Sequence, residues 1–147
     1  MKVREIIHSP VTVESDATVK KAAEEMKKRG IGSVLVCNKG KNCGILTERD
    51  ILNRIVAEGK DAAKTSVESV MTKKLVTIDA DEDIDKALEL MNGYNIRRLV
   101  VMHGKDGKEI VGVITARDVA KNVSFQYARK LHEENYRRPE YFAERDK

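Results

Sequence analysis

The stretch Gly44-Ile45-Leu46-Thr47-Glu48-Arg49-Asp50 decides how this chain is read, because a near copy, Gly112-Val113-Ile114-Thr115-Ala116-Arg117-Asp118, returns 68 residues later. Each copy begins as a short apolar run, passes through Thr, and reaches Arg-Asp just before a new apolar periodicity at Ile51-Leu52 or Val119-Ala120. That pattern predicts a strand running into the first turn of a helix. Upstream the two halves align at an offset of 65, pairing Val11-Thr12-Val13 with Val76-Thr77-Ile78, Lys21-Ala22 with Lys86-Ala87, Met26 with Met91, and Ile31 with Ile96. The loop from His103 to Glu109 is longer than its counterpart by three residues, which accounts for the larger offset at the motif. Self-similarity of this kind marks a repeat, and loops are where related units tolerate length changes.

Each repeat is predicted to run strand, helix, strand, hairpin, strand, helix. Ser15 or Asp16 is the expected N-cap of a first helix whose apolar face is Val19, Ala22, Ala23 and Met26. Gly30 and its partner Asn95 fall at the helix ends, and these two residue types best accept the left-handed conformation required there. The second helix of repeat one is expected to carry its apolar periodicity on Ile51, Leu52, Ile55 and Val56 and to stop at Glu58-Gly59. Val67-Glu68-Ser69-Val70-Met71 echoes Val3-Arg4-Glu5-Ile6-Ile7 as a lead-in to each repeat. The chain therefore divides into repeat one at 1–60, a linker at 61–66, repeat two at 67–124, and a tail at 125–147 whose apolar spacing (Val123, Tyr127, Leu131) predicts continued helix.

A chain of 147 residues, 41% hydrophobic and 35% charged, is long enough to bury a core without metal or disulfide support. With no Trp, two Phe and four Tyr, that core is aliphatic. The net charge of +4 arises from 28 Lys and Arg interleaved with 24 Asp and Glu, a mixed surface that argues against nucleic acid as the partner. No apolar run reaches membrane-spanning length, and the start of the chain lacks the apolar core of a signal peptide, so a cytoplasmic location with no membrane partner is expected. Cys37 and Cys43 flank a polar turn and are expected to remain free thiols. His8, His103 and His132 are scattered, and no activated nucleophile is evident, so neither a catalytic nor a metal-binding set is expected and the chain is not read as an enzyme.

Thr-x-x-Asp at the start of a helix has two meanings. One is a capping box with Asp in place of Glu. The other is a ligand site, in which exposed N–H groups and the hydroxyl meet a phosphate while the carboxylate accepts from a ribose diol. Repetition favours the second, since caps vary freely among Ser, Thr, Asn and Asp whereas both copies keep Thr, Arg and Asp.

Two repeats of this order, each ending in Gly-x-x-Thr-x-x-Asp, resemble a tandem pair of cystathionine-beta-synthase (CBS) domains, or Bateman module, over residues 1 to about 124. The resemblance implies an α+β fold of two pseudo-symmetric β-α-β-β-α repeats packed through their sheets, with a C-terminal helical extension. It implies a regulatory module that binds AMP, ADP, ATP or S-adenosylmethionine in clefts between the repeats, forms a homodimer, and acts on a separate effector protein. Carried onto this chain, one site would use Val113, Thr115 and Asp118 with Thr12 and Ile31, and the other Ile45, Thr47 and Asp50 with Thr77 and Ile96. Repeat two has Arg97-Arg98 where repeat one has Gly32-Ser33, and the resemblance places a cation there near the phosphate of the Asp118 site. That site is therefore expected to bind phosphorylated nucleotides more tightly and the Asp50 site to be empty or to prefer a less anionic ligand, the alternative being that Arg97 or Arg98 faces solvent or pairs with an acidic neighbour. Arg49 and Arg117 are expected to form intramolecular ion pairs. The alternative is a structural protein with unused clefts that docks a partner through its tail.

Overall fold

The computed structural model describes residues 1–104 and 106–123, so the tail expected to continue as a helix lies outside the described residues. Repeat one contains β1 (Thr12–Glu14), α1 (Val19–Arg29), β2 (Ser33–Asn38), β3 (Lys41–Thr47) and α2 (Glu48–Ile51), followed by a π-helical turn at Leu52–Val56. Repeat two repeats the plan with β4 (Thr77–Asp79), α3 (Ile84–Tyr94), β5 (Arg98–His103) and β6 (Glu109–Thr115), then a helix over 116–123. In each three-stranded sheet the first strand pairs parallel with the second, and the second antiparallel with the third. No helix among the described residues is long and apolar enough to cross a membrane.

Local chemistry explains the helix ends. Gly30 (φ 64) and Asn95 (φ 52) both close their helices in the left-handed conformation, as expected from their side chains. The following amides, Ile31 and Ile96, reach back to the carbonyls of Met26 and Met91 at 3.0 and 2.9 Å. The N-cap of α1 is Thr18, whose hydroxyl accepts from the Lys21 amide at 3.1 Å, and not Ser15 or Asp16. Ser15 is instead buried, its backbone bonded to Cys37 and Glu68. The equivalent cap in repeat two is Asp83.

Strand alternation sends one face of each sheet to its helices and the other toward the opposite sheet. Val34, Val36 and Leu46 join Val19, Ala22 and Met26 in one core, and Leu99, Val101 and Ile114 join Ile84, Ala87 and Met91 in another. Leu35, Ile45 and Val100 form a third cluster between the sheets, through which the repeats pack as expected.

The packing crosses the sequence division. Val3 lies fully buried in the core of repeat two, while Val67, Val70 and Met71 are buried in that of repeat one. Each lead-in thus completes the other repeat. It does so as an extra edge: Thr72 exchanges backbone hydrogen bonds with Ile45 at 2.9 and 2.8 Å, and His8 with Val113 at 3.0 and 3.0 Å. The apolar residues of the second helix of repeat one are divided between core and solvent. Ile55 is buried, but Leu52 and Val56 are 59% and 66% exposed, because only one stripe of a short helical segment can face the sheet.

Candidate ligand cavity at Asp50

Both motifs form reciprocal caps. The Thr47 hydroxyl accepts from the Asp50 amide at 3.1 Å while the Asp50 carboxylate accepts from the Thr47 amide at 3.0 Å. The same pair of bonds joins Thr115 and Asp118, at 3.1 and 3.0 Å. The second oxygen of each carboxylate is where the copies diverge. At Asp50 it accepts from the Thr72 hydroxyl at 3.0 Å, with Arg54 3.7 Å away. At Asp118 it meets Nε2 of His8 at 2.6 Å. Thr72 and His8 are equivalent lead-in residues, one step beyond the similarity between 67–71 and 3–7. The sequence signal was therefore present, but the exchange of lead-ins hid its meaning.

Asp50 opens into a cavity of about 640 Å³. The wall includes the expected Ile45, Thr47 and Ile96, with Leu75 and Val100 supplying apolar surface. Thr77, expected there, stands beside Val100 in the ladder, and the wall takes Val76 instead. Five cations, Arg49, Arg54, Lys74, Arg97 and Arg98, surround two carboxylates, Glu48 and Asp50. The structure thus puts Arg97 and Arg98 in the Asp50 cavity, whereas the resemblance had assigned that cation to the Asp118 site. The cause is the close approach of the repeats: Arg98 begins β5 in repeat two, yet its guanidinium donates to the Gly32 carbonyl of repeat one at 2.8 Å. Burial holds this guanidinium below the ordinary arginine range, partly offset by Glu48.

Arg49 lines the cavity and Arg117 a more open hollow of about 450 Å³. The ion pairs near the first motif are Arg54 with Asp50 and Arg98 with Glu48. Ile31 and Arg117 both line that hollow, which Thr115 and Asp118 do not, while Thr12 is exposed on β1 and pairs with Leu35. Val113, Thr115 and Asp118 lie along the edge paired with His8.

The Asp118 carboxyl, 14% exposed, is pushed up by burial but pulled further down by the Thr115 hydroxyl, by His8 and by the Thr115 amide, so it titrates below the usual carboxylate range. A carboxylate with a depressed folded-state pKa stabilises the fold above its unfolded value, and that contribution is lost as pH falls through the folded value. Thermal melts from about pH 6 to pH 3 are expected to show a shallower loss of stability in Asp118→Asn than in the parent. Parallel curves would place the acid sensitivity elsewhere.

The cysteines are free, as expected. Cys37 pairs in register with Asn42 across a bulge, and burial, then Cys43 and Glu14, push its thiol up. One histidine left scattered by the sequence is gathered by the fold: His103 lies with Asp79 and Asp81 so that a ring nitrogen and two carboxylate oxygens are within 4.8 Å of one another, although the Arg4 guanidinium already engages Asp81.

Two linked sheet-and-helix units, each closed by a Thr-x-x-Asp cap, with an inter-repeat cavity at the first of these caps, define a tandem repeat module. The CBS domain pattern matches residues 3–57 and 67–124, and the chain belongs to the CBS domain family, as a tandem pair. It is 35% identical over 111 residues to the CBS domain-containing protein YhcV of Bacillus subtilis, a match covering 76% of each chain. It is 31% identical over 110 residues to the uncharacterized protein MK0525 of Methanopyrus kandleri, covering 74% of this chain but only 55% of that one. Among solved structures, the CBS domain pair of protein MJ0100, in complex with 5'-methylthioadenosine and S-adenosyl-L-methionine, superposes with a TM-score of 0.75 at 27% identity, covering 86% of this chain and 98% of that one.

Proposed function

We propose that this chain is a regulatory ligand-binding module that takes an adenine nucleotide in the Asp50 cavity and acts, without catalysis of its own, on a separate protein. The observation that carries the reading is the coincidence, in one cavity of about 640 Å³, of an apolar inter-repeat wall, the Asp50 carboxylate and a surplus of cations. The apolar surface of Ile45, Ile96 and Val100 suits a purine, the carboxylate suits the ribose diol, and the cations suit phosphate.

Phosphate is assigned to side chains and not to backbone N–H groups because amides at the start of α2 are already bonded, that of Glu48 to the Gly32 carbonyl at 3.0 Å and that of Asp50 to the Thr47 hydroxyl at 3.1 Å. The same charge balance selects within the adenosyl class. S-adenosylmethionine, with a sulfonium and an ammonium against one carboxylate, is a net cation that the surplus positive charge disfavours, whereas AMP, ADP and ATP bring net negative charge. The Asp118 site has no such surplus: the residues matching Arg54, Arg97 and Arg98 are Asn122, Gly32 and Ser33.

Competitive calorimetry tests the preference. AMP or ADP is expected to bind at least about tenfold more tightly than S-adenosylmethionine at low salt, with the difference shrinking as salt is added. Tighter binding of S-adenosylmethionine would overturn the charge-based assignment. A regulatory effect requires that the nucleotide favour one of two states, so the same titrations should be followed by a probe of shape such as small-angle scattering.

A further inference from the structure

We infer that Glu48 is an internal counter-ion that occupies Arg98 until a ligand phosphate takes its place, so that residue 48 sets how tightly the Asp50 cavity holds anions. The proposal rests on the reading of that cavity as a nucleotide site. Its mechanism rests on the surroundings of one guanidinium.

Arg98 is only 16% exposed, and a buried guanidinium demands counter-charge and hydrogen-bond acceptors. It is poorly supplied with both. Nη1 donates to the Gly32 carbonyl at 2.8 Å, an acceptor already shared with the Glu48 amide at 3.0 Å. Nη2 lies 3.7 Å from Oε1 of Glu48, well beyond the separation of a charge-assisted hydrogen bond. Nε is buried and has no partner among the described residues. The group is therefore held in place but incompletely satisfied, on the wall of the cavity that Asp50 marks.

Glu48 is built to yield. Its side chain is 72% exposed, so it loses little hydration in the pair and gives it up at little cost. It lines both the Asp50 cavity and the hollow that holds Arg117, which offers it a second cationic surface once displaced. Gly32 leaves the passage open: a Cβ there would stand 2.5 Å from Oε1 of Glu48 and 2.9 Å from Nη2 of Arg98. A phosphate oxygen pair, unlike Glu48 at its present distance, matches the planar fork of the guanidinium. The arrangement belongs to one cleft alone, since the residues equivalent to Glu48 and Arg98 at the second motif are Ala116 and Ser33.

Inorganic pyrophosphate is the direct probe, titrated calorimetrically at low salt into the full chain, with adenosine titrated in parallel. Glu48→Gln is expected to bind pyrophosphate about three- to fivefold more tightly than the parent, the size of one exposed ion pair removed, with adenosine affinity unchanged. In an Arg98→Lys background, which keeps the positive charge but not the fork, the gain from Glu48→Gln should vanish. A gain that persists there means Glu48 acts through general charge and overturns the proposal, as do equal pyrophosphate affinities or no pyrophosphate binding in either protein. Absence of adenosine binding in every variant would overturn the nucleotide reading alone, because the pyrophosphate comparison does not depend on it.

Discussion

Asp50→Ala is expected to abolish nucleotide binding and to lower the stability of repeat one by about 1–3 kcal/mol, the cost of leaving buried donors without an acceptor. The donors in question are the Thr47 amide and the Thr72 hydroxyl, each 3.0 Å from the Asp50 carboxylate. A carboxylate offers about four lone-pair sites, so two remain for a ribose diol after these bonds are made. Each hydroxyl bonded to a charged acceptor contributes about 1.5–3 kcal/mol, so losing both corresponds to more than about a hundredfold in affinity. Asp118→Ala provides the contrast. Its carboxylate meets His8 at 2.6 Å and lies outside the cation-rich cavity, so nucleotide affinity should be retained. Thermal unfolding and calorimetric titration of both variants check these outcomes together.

Gly44→Ala is expected to destabilise the chain by about 1–3 kcal/mol, as overpacking against an unyielding neighbour does. The added Cβ would lie 2.7 Å from the Thr72 carbonyl oxygen and 2.7 Å from Sδ of Met71. The methionine can move aside, but the carbonyl is fixed by its hydrogen bond from the Ile45 amide at 2.9 Å. The lead-in must shift, taking the Thr72 hydroxyl away from Asp50, so weaker nucleotide binding should accompany the lower melting temperature, a fall of roughly 2–4 °C per kcal/mol. Gly112→Ala meets the His8 carbonyl oxygen at 2.7 Å and should destabilise similarly while leaving the Asp50 cavity competent. Melting curves for the two variants that coincide with the parent would show that the lead-ins are not packed as described.

These glycines illustrate which features could be read from sequence and which could not. The reciprocal caps at Thr47-Asp50 and Thr115-Asp118, and the left-handed ends at Gly30 and Asn95, depend on a few neighbouring residues, and local pattern was enough to place them. The choice of Thr18 over Ser15 and Asp16 was harder, because three good capping residues stand within four positions and tertiary bonds to Ser15 decide among them.

The exchange of lead-ins was not legible, for a physical reason. Val3-Arg4-Glu5-Ile6-Ile7 and Val67-Glu68-Ser69-Val70-Met71 present nearly the same apolar pattern, so either could complete either repeat. The placement of Arg97 and Arg98 followed from the same ambiguity. Their position in the chain ties them to the second motif, while the approach of the repeats delivers them to the first. Exposure of Leu52 and Val56 likewise could not be read from an apolar spacing that also describes a buried face.

The central claim is that one cleft, the one marked by Asp50, binds adenine nucleotide. Calorimetric titration of AMP into the parent, Asp50→Ala and Asp118→Ala tests it most directly. A single saturable event per chain, lost in Asp50→Ala and kept in Asp118→Ala, is the predicted result. Binding that survives in Asp50→Ala, or that disappears only in Asp118→Ala, would contradict it.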